Sequence, residues 1–240
     1  FRRTPRGLVL TDEGGALLPA LSETFERLSR TLAQFETGAF KEVLTVTAVG
    51  TFADGWLMQR LEGFRVDHPF IDLRLLTNNN KVDLAGESLD YAIRYGDGAW
   101  HGTVADLLLA APITPLCSPR TAERLQSPED LKMLPLLRSY RQQDWPLWLS
   151  QAGVPQIVAR GPLFDSSYLM VQAAMQSAGV ALAPALMFGR ELREERLAQP
   201  FSIEVEAGGY WLARLHSRAP TVAMAAFREW LMGEERGEGN

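Results

Sequence analysis

Two hydroxyl side chains occupy matching positions in this sequence, and both suit the binding of a hydrogen-bond acceptor. Thr51 follows the apolar, β-branched run Val43, Leu44, Val46, Ala48 and Val49, and precedes Ala53, Trp56, Leu57, Leu61 and Phe64 at helical spacing. Ser167 stands between the strand-like run Ile157 to Phe164 and the apolar, helix-spaced stretch Leu169 to Met175. The sequence predicts a short polar turn in each case, Gly50-Thr51-Phe52 and Asp165-Ser166-Ser167, feeding a helix. The first turn of a helix leaves backbone N–H groups unpaired and points the positive end of its dipole outward, which favours an anion. In open α/β sheets, ligands bind at such carboxyl ends of strands. Ordinary helix capping accounts for the same residue types.

The other reactive groups do not assemble into a catalyst. His68, His101 and His216 are scattered, without the spacing of a metal site. Cys117 has no second cysteine to pair with and no basic neighbour in sequence to lower its pKa. No G-x-S-x-G elbow is present. The glycines of Gly96-Asp97-Gly98-Ala99-Trp100-His101-Gly102 have three residues before the last glycine instead of two, which excludes a dinucleotide fingerprint. Asp165-Ser166-Ser167 lacks a base and an orienting group. The expectation is a binding protein with no catalytic residue, metal or cofactor.

Strands alternate with helices from Lys41 onward, which predicts an α/β fold with mainly parallel sheets. Strands are expected at Ile71 to Thr77, Tyr91 to Tyr95, Leu107 to Ala111, Leu134 to Arg138 and Val180 to Ala183. Asn78-Asn79-Asn80 reads as a loop, followed by a short helix near Val82 to Leu89. Further helices are expected around Trp145 to Ala152 and Ala223 to Leu231, and Gly233 to Asn240 reads as a disordered polar tail. Crossings at Pro112 to Pro115 and Tyr210 to Leu215 predict two lobes joined twice, with a cleft between them. The absence of an apolar run of about 18 residues argues against a membrane span. With no signal peptide and a single cysteine, a reducing cytoplasm is the expected compartment.

Charge is distributed unevenly. The chain carries −5 overall, and without Arg2, Arg3 and Arg6 the remainder stands at −8. Those arginines sit in a predicted hairpin turning at Pro5-Arg6-Gly7, where they suit phosphate contacts or merely a solvated basic turn. Thr11 is a helix cap, and Leu18, Leu21, Phe25, Leu28, Leu32 and Phe35 then repeat in a 3-4-3-4-3 pattern. That narrow seam predicts pairing with another helix, such as that of a second copy. Pro19 is expected to bend the helix.

The stretch FRRTPRGLVLTDEGGALLPAL resembles the wing of a winged helix-turn-helix followed by the linker helix of a LysR-type transcriptional regulator. The rest of the chain resembles that family's effector domain, a two-lobed fold of the periplasmic-binding-protein type. The resemblance divides the chain into a wing remnant (1–10), a linker and dimerisation helix (11–40) and an effector domain (41–240). Lobe I would take about 41–112 and 212–240, and lobe II about 113–211. It also implies a helix-turn-helix ahead of Phe1. VGTFADGWL, TNNNKVDLAGESLDYAIRYGDGAWH, TPLCSP, PLLRSYR, FDSSYLM, APALMF, QPF and GYWLARL narrow the resemblance to those members that regulate inducible chromosomal β-lactamase.

The resemblance implies a cytoplasmic homodimer or homotetramer acting on promoter DNA and RNA polymerase. UDP-N-acetylmuramyl pentapeptide would repress it and anhydro-muropeptides would activate it. The implied effector residues are Thr51, Ser167 and Tyr210, flanked by Phe52 and Ser166, with Gly50 and Asp83 at positions that control activation. Arg2, Arg3 and Arg6 would touch DNA backbone, and Leu21, Phe25, Leu28, Leu32 and Phe35 would form the dimer seam. A LysR-type regulator of another regulon would keep residues 1–38 and change the ligand. A periplasmic-type solute-binding protein would share the lobes but needs a signal peptide.

Overall fold

The computed structural model describes residues 2–4, 7–36, 41–77, 84 and 88–237. Strands β1 (Arg2–Thr4) and β2 (Gly7–Val9) form the expected hairpin, with Arg2 opposite Val9 and Arg3 opposite Leu8. Arg2 and Arg3 are exposed, whereas Arg6 lies outside the described residues. Helix α1 (Asp12–Glu36) starts at Thr11, whose Oγ1 accepts from the Gly14 N–H at 3.2 Å. It continues as one helix through Pro19. Its apolar seam faces solvent: Leu18, Leu21, Phe25 and Leu28 are 44–64% exposed. The side chains of Leu32 and Phe35 lie outside the described set.

Lobe I is built on β3 (Glu42–Ala48), whose Leu44, Val46 and Ala48 are fully buried and whose Thr47 is nearly so. This is the two-sided burial that its β-branched, non-alternating sequence calls for. The next segment differs from the predicted turn. Gly50–Phe52 already forms the first turn of α2, which runs on as a π-helical turn, Ala53–Leu57. After α3 (Leu61–Asp67) comes β4 (Ile71–Thr77). The predicted loop at Asn78-Asn79-Asn80, most of the predicted 82–89 helix and Asp83 lie outside the described residues. Strands β5 (Tyr91–Gly96) and β6 (Thr103–Ala110) complete the outward run of the chain, β6 starting four residues before its predicted position.

Lobe II follows with β7 (Thr114–Leu116), α4 (Pro119–Ala122) and a 3-10 turn, Pro128–Met133. Ser118 caps α4, and Ser127 with Asp130 forms a capping box on the 3-10 turn. The predicted 134–138 strand contracts to β8 (Arg138–Ser139). Helix α5 (Asp144–Gln151) precedes Gly153, which takes φ +77 at its exit. The predicted 157–164 strand contracts to β9 (Leu163–Phe164), because Gly161 passes close to the Leu136 carbonyl and Pro162 has no N–H for a ladder. Then come α6 (Ser167–Met175), β10 (Ala181–Ala183), a 3-10 turn Ala185–Phe188, and α7 (Gly189–Arg193).

The chain re-enters lobe I's sheet with β11 (Gly209–Leu215), three residues before the boundary placed at 212, and ends with α8 (Val222–Gly237). The predicted tail is therefore helical to Gly237, because its Glu and Arg residues are good helix formers. The sheet order is β4-β3-β5-β11-β6. β3 runs parallel to β4 and β5, while β11 is inserted antiparallel between β5 and β6. In lobe II, β10 and β7 are antiparallel and β8 and β9 parallel. The architecture is a mixed α/β fold rather than a mainly parallel one. The odd strand arrives from the other lobe, a long-range return that local alternation does not encode.

One apolar cluster runs through both lobes, from Phe52, Trp56 and Tyr210 to Met170, Ala183 and Met187. The lobes are thus packed together beside the cleft. Gly55, in the π-helical turn, makes that packing possible: a Cβ there would lie 2.2 Å from the Met187 carbonyl oxygen across the seam. No helix among the described residues is long and apolar enough to cross a membrane.

Candidate functional site

A cavity of about 170 Å³ lies between the lobes, and Thr51, Ser167 and Tyr210 all line it. Thr51 is held by the first turn of α2, which follows directly on buried β3; it is 5% exposed. Tyr210 enters on β11, paired with Tyr95 of β5. Its ring is fully packed, 5.1 Å from the rings of Phe52 and Tyr95. The Tyr210 hydroxyl donates to Thr51 Oγ1 at 3.0 Å. Burial pushes the Tyr210 phenol well above its usual pKa, with the Thr51 bond opposing, so the hydroxyl stays protonated and remains a donor.

Ser167 is the first residue of α6. The cap itself is the buried Ser166, whose hydroxyl accepts from the Leu169 N–H. The Ser167 hydroxyl has no hydrogen-bond partner among the described residues and lines the cavity. Neither of the two lining hydroxyls is a helix cap. The N-cap of α2 is Val49, which makes no side-chain cap bond.

A hydroxyl has one proton to donate and two lone pairs. Thr51 Oγ1 already accepts from Tyr210, so its own proton is left for an acceptor in the cavity. Ser167 offers a second donor from the opposite lobe. The pair suits a carboxylate or carbonyl oxygen.

The remaining sequence-derived residues stand behind the cavity or outside the described set. Phe52 is fully buried against Trp56 and Tyr210 and supports the floor. Gly50 starts α2, and Asp83 lies outside the described residues.

Asp165, from the predicted Asp165-Ser166-Ser167 turn, also lines the cavity, as do Tyr95, Ser139, Tyr140, Arg141 and Asp144, which the sequence did not single out as site residues. Arg141 Nε bonds both Asp144 carboxylate oxygens, at 3.2 and 2.9 Å, and its Nη2 donates to the Ala207 carbonyl at 2.7 Å. Its guanidinium lies 4.6 Å over the Tyr95 ring. Burial pushes the Asp144 carboxyl upward, against the pull of Arg141. The Tyr95 hydroxyl donates to the Ala111 carbonyl at 2.9 Å and so ties the first crossing to β5. Arg141, Asp144 and Tyr95 brace one another, and the hydroxyls that line the cavity with a proton to offer are those of Thr51, Ser167, Ser139 and Tyr140, of which Thr51 and Ser167 face each other from the two lobes. PLLRSYR contains Ser139 and Arg141, but a short loop with no hydrophobic period gives no sign of which cavity they reach.

Cys117 is buried and free, and burial pushes its thiol up to about 12. It packs in lobe II's core and carries no nucleophile chemistry. Among the described residues, no group of three or more His, Cys, Asp or Glu side chains is placed to hold a metal ion.

Comparisons with known proteins converge on one family. Residues 37–236 match the LysR substrate binding domain. The HTH-type transcriptional activator AmpR of Pseudomonas aeruginosa is 56% identical over 234 residues, covering 97% of this chain and 79% of that protein. The solved effector domain of the same organism's AmpR superposes with a TM-score of 0.79 at 57% identity, over 83% of this chain and 97% of that one. An effector binding domain from Citrobacter freundii with one threonine, one serine and one tyrosine substituted superposes with a TM-score of 0.78 at 45% identity, over 81% of this chain and all of that one. The chain therefore belongs to the LysR substrate binding domain family, as the two-lobed effector domain of a LysR-type transcriptional regulator and not an enzyme.

Proposed function

We propose that this chain is the sensing part of a transcriptional regulator of β-lactamase expression, and that the interlobe cavity binds the D-Ala-D-Ala end of cell-wall peptides. UDP-N-acetylmuramyl pentapeptide is the repressing ligand in this reading and anhydro-muropeptides the activating ones. The observation that carries it is the Tyr210–Thr51 hydrogen bond, which leaves the Thr51 proton for an acceptor in the cavity. The AmpR relatives support the regulon. The residue types changed in the Citrobacter freundii variant, one threonine, one serine and one tyrosine, are those gathered here. Calorimetric titration with UDP-N-acetylmuramyl pentapeptide tests the reading: one site per chain in the micromolar range or tighter supports it, and no heat at millimolar peptide refutes it.

In the same reading the regulator works in the cytoplasm on promoter DNA, together with RNA polymerase. The 1–10 hairpin is a wing remnant whose Arg2, Arg3 and Arg6 touch phosphates, which positions a protein without reading sequence. The 11–40 helix joins two copies through Leu21, Phe25, Leu28, Leu32 and Phe35. The exposure of Leu21, Phe25 and Leu28 supports this, since a seam of that length is otherwise left in water. Leu28→Asp is expected to shift the molar mass measured by light scattering from dimer towards monomer, because an unpaired carboxylate in an apolar seam is strongly disfavoured. An unchanged mass would move assembly onto the effector lobes.

A further inference from the structure

We propose that the effector site continues into a second subsite on lobe II, where Arg138 receives a non-terminal carboxylate of an acidic peptide. This rests on the peptide reading of the interlobe cavity. That cavity, at about 170 Å³, falls short of the roughly 300–1,000 Å³ of sites that enclose a whole drug-sized ligand. It holds the end of a longer peptide, and the rest must leave it. A second cavity of about 350 Å³ adjoins it, and Ser139 and Arg141 line both. Its other walls include Arg138, Gln142, Val158 and Leu163, and among the described residues no acidic side chain lines it.

The two arginines differ in state. Arg141 is neutralised by Asp144. Arg138, on β8 beside Leu163 of β9, is exposed, and among the described residues its guanidinium donates only its Nε, to the Gly161 carbonyl at 3.0 Å. It has no carboxylate partner among the described residues. That one bond orients the guanidinium and leaves its outer N–H groups for a ligand carboxylate, which arginine takes bidentately. Val158 and Leu163 are 66% and 51% exposed, an apolar wall beside an unpaired cation. An acidic peptide with its terminal carboxylate at Thr51 and Ser167 passes Ser139 and Arg141 and brings an upstream acid to Arg138.

The test is a calorimetric double-mutant cycle. The probes are acetyl-D-Ala-D-Ala, the peptide L-Ala-γ-D-Glu-L-Lys-D-Ala-D-Ala, and that peptide with its free glutamyl carboxyl amidated. Arg138→Ala should weaken the acidic pentapeptide about ten- to a hundred-fold and leave the dipeptide within about twofold. Amidation should weaken wild type comparably and Arg138→Ala no further, and Arg138→Lys should recover part of the loss. Arg138 is exposed, so an unchanged melting temperature is expected for both variants. Equal losses on dipeptide and pentapeptide, no loss on either, or an amidation penalty that persists in Arg138→Ala would overturn the subsite. If wild type binds the dipeptide and pentapeptide equally well, the subsite fails and the cavity reading stands. If wild type binds neither, the cavity reading fails and the subsite with it.

Discussion

Gly55→Ala is expected to lower the melting temperature by about 5 °C or more and to weaken effector binding at the same time. The Cβ would sit 2.2 Å from the Met187 carbonyl oxygen and 2.9 Å from its Cα and carbonyl carbon. All three are backbone atoms, so no flexible side chain can swing aside. Overpacking of this kind costs about 1–3 kcal/mol, occasionally more, and each kcal/mol shifts the midpoint by about 2–4 °C in a domain of this size. The strain is relieved by parting the π-helical turn of lobe I from the Ala185–Phe188 turn of lobe II, which moves Thr51 relative to Ser167. Gly63→Ala is the control, because nothing lies within 4 Å of a Cβ there. In helix α3 that change should stabilise, by up to about 1 kcal/mol. If Gly55→Ala melts like wild type, the seam is looser than described.

Thr51→Val, Ser167→Ala and Tyr210→Phe combined are expected to weaken peptide binding at least about a hundred-fold while leaving the fold intact. Each lining hydroxyl offers one hydrogen bond to a charged acceptor, typically about 1.5–3 kcal/mol, and about 1.4 kcal/mol is tenfold in affinity. The stability effects have a distinctive order. Thr51→Val alone strands the buried Tyr210 hydroxyl, whose only partner among the described residues is Thr51. An unsatisfied buried donor costs about 1–3 kcal/mol. Adding Tyr210→Phe removes the stranded donor, so the double variant should melt higher than Thr51→Val. Differential scanning calorimetry reads the order directly. The opposite order would mean that the two hydroxyls are not bonded to one another.

The site was half legible in the sequence because its two poles are local events. A β-branched run ending at Gly50-Thr51 and a Ser166 cap ahead of Leu169 mark strand-to-helix junctions without tertiary information. Tyr210 was within reach only through the family resemblance, since its place beside Thr51 depends on β11 entering between β5 and β6. Arg141, Asp144 and Tyr95 could not be read. Arg141 and Asp144 pair locally, three residues apart, but what brings them to the cavity is the cation–π contact of Arg141 with Tyr95, on a strand far away in sequence. The π-helical turn at Gly55 was invisible too. Glycine between Asp54 and Trp56 reads as a weak helix position, and only the approach of Met187 explains it. At the other end, Glu234, Glu235 and Arg236 have the composition of a tail and the propensity of a helix; the helix prevails to Gly237.

The central claim is that Thr51 and Ser167, with Thr51 oriented by Tyr210, bind the terminal carboxylate of a D-Ala-D-Ala peptide. Titrating the wild-type chain with one pentapeptide as the free acid and as its C-terminal amide tests it most directly. The acid should bind about ten- to a hundred-fold more tightly than the amide, and the difference should vanish in the Thr51→Val/Ser167→Ala/Tyr210→Phe variant. Equal affinity for acid and amide, or a preference for the acid that survives in that variant, would contradict it.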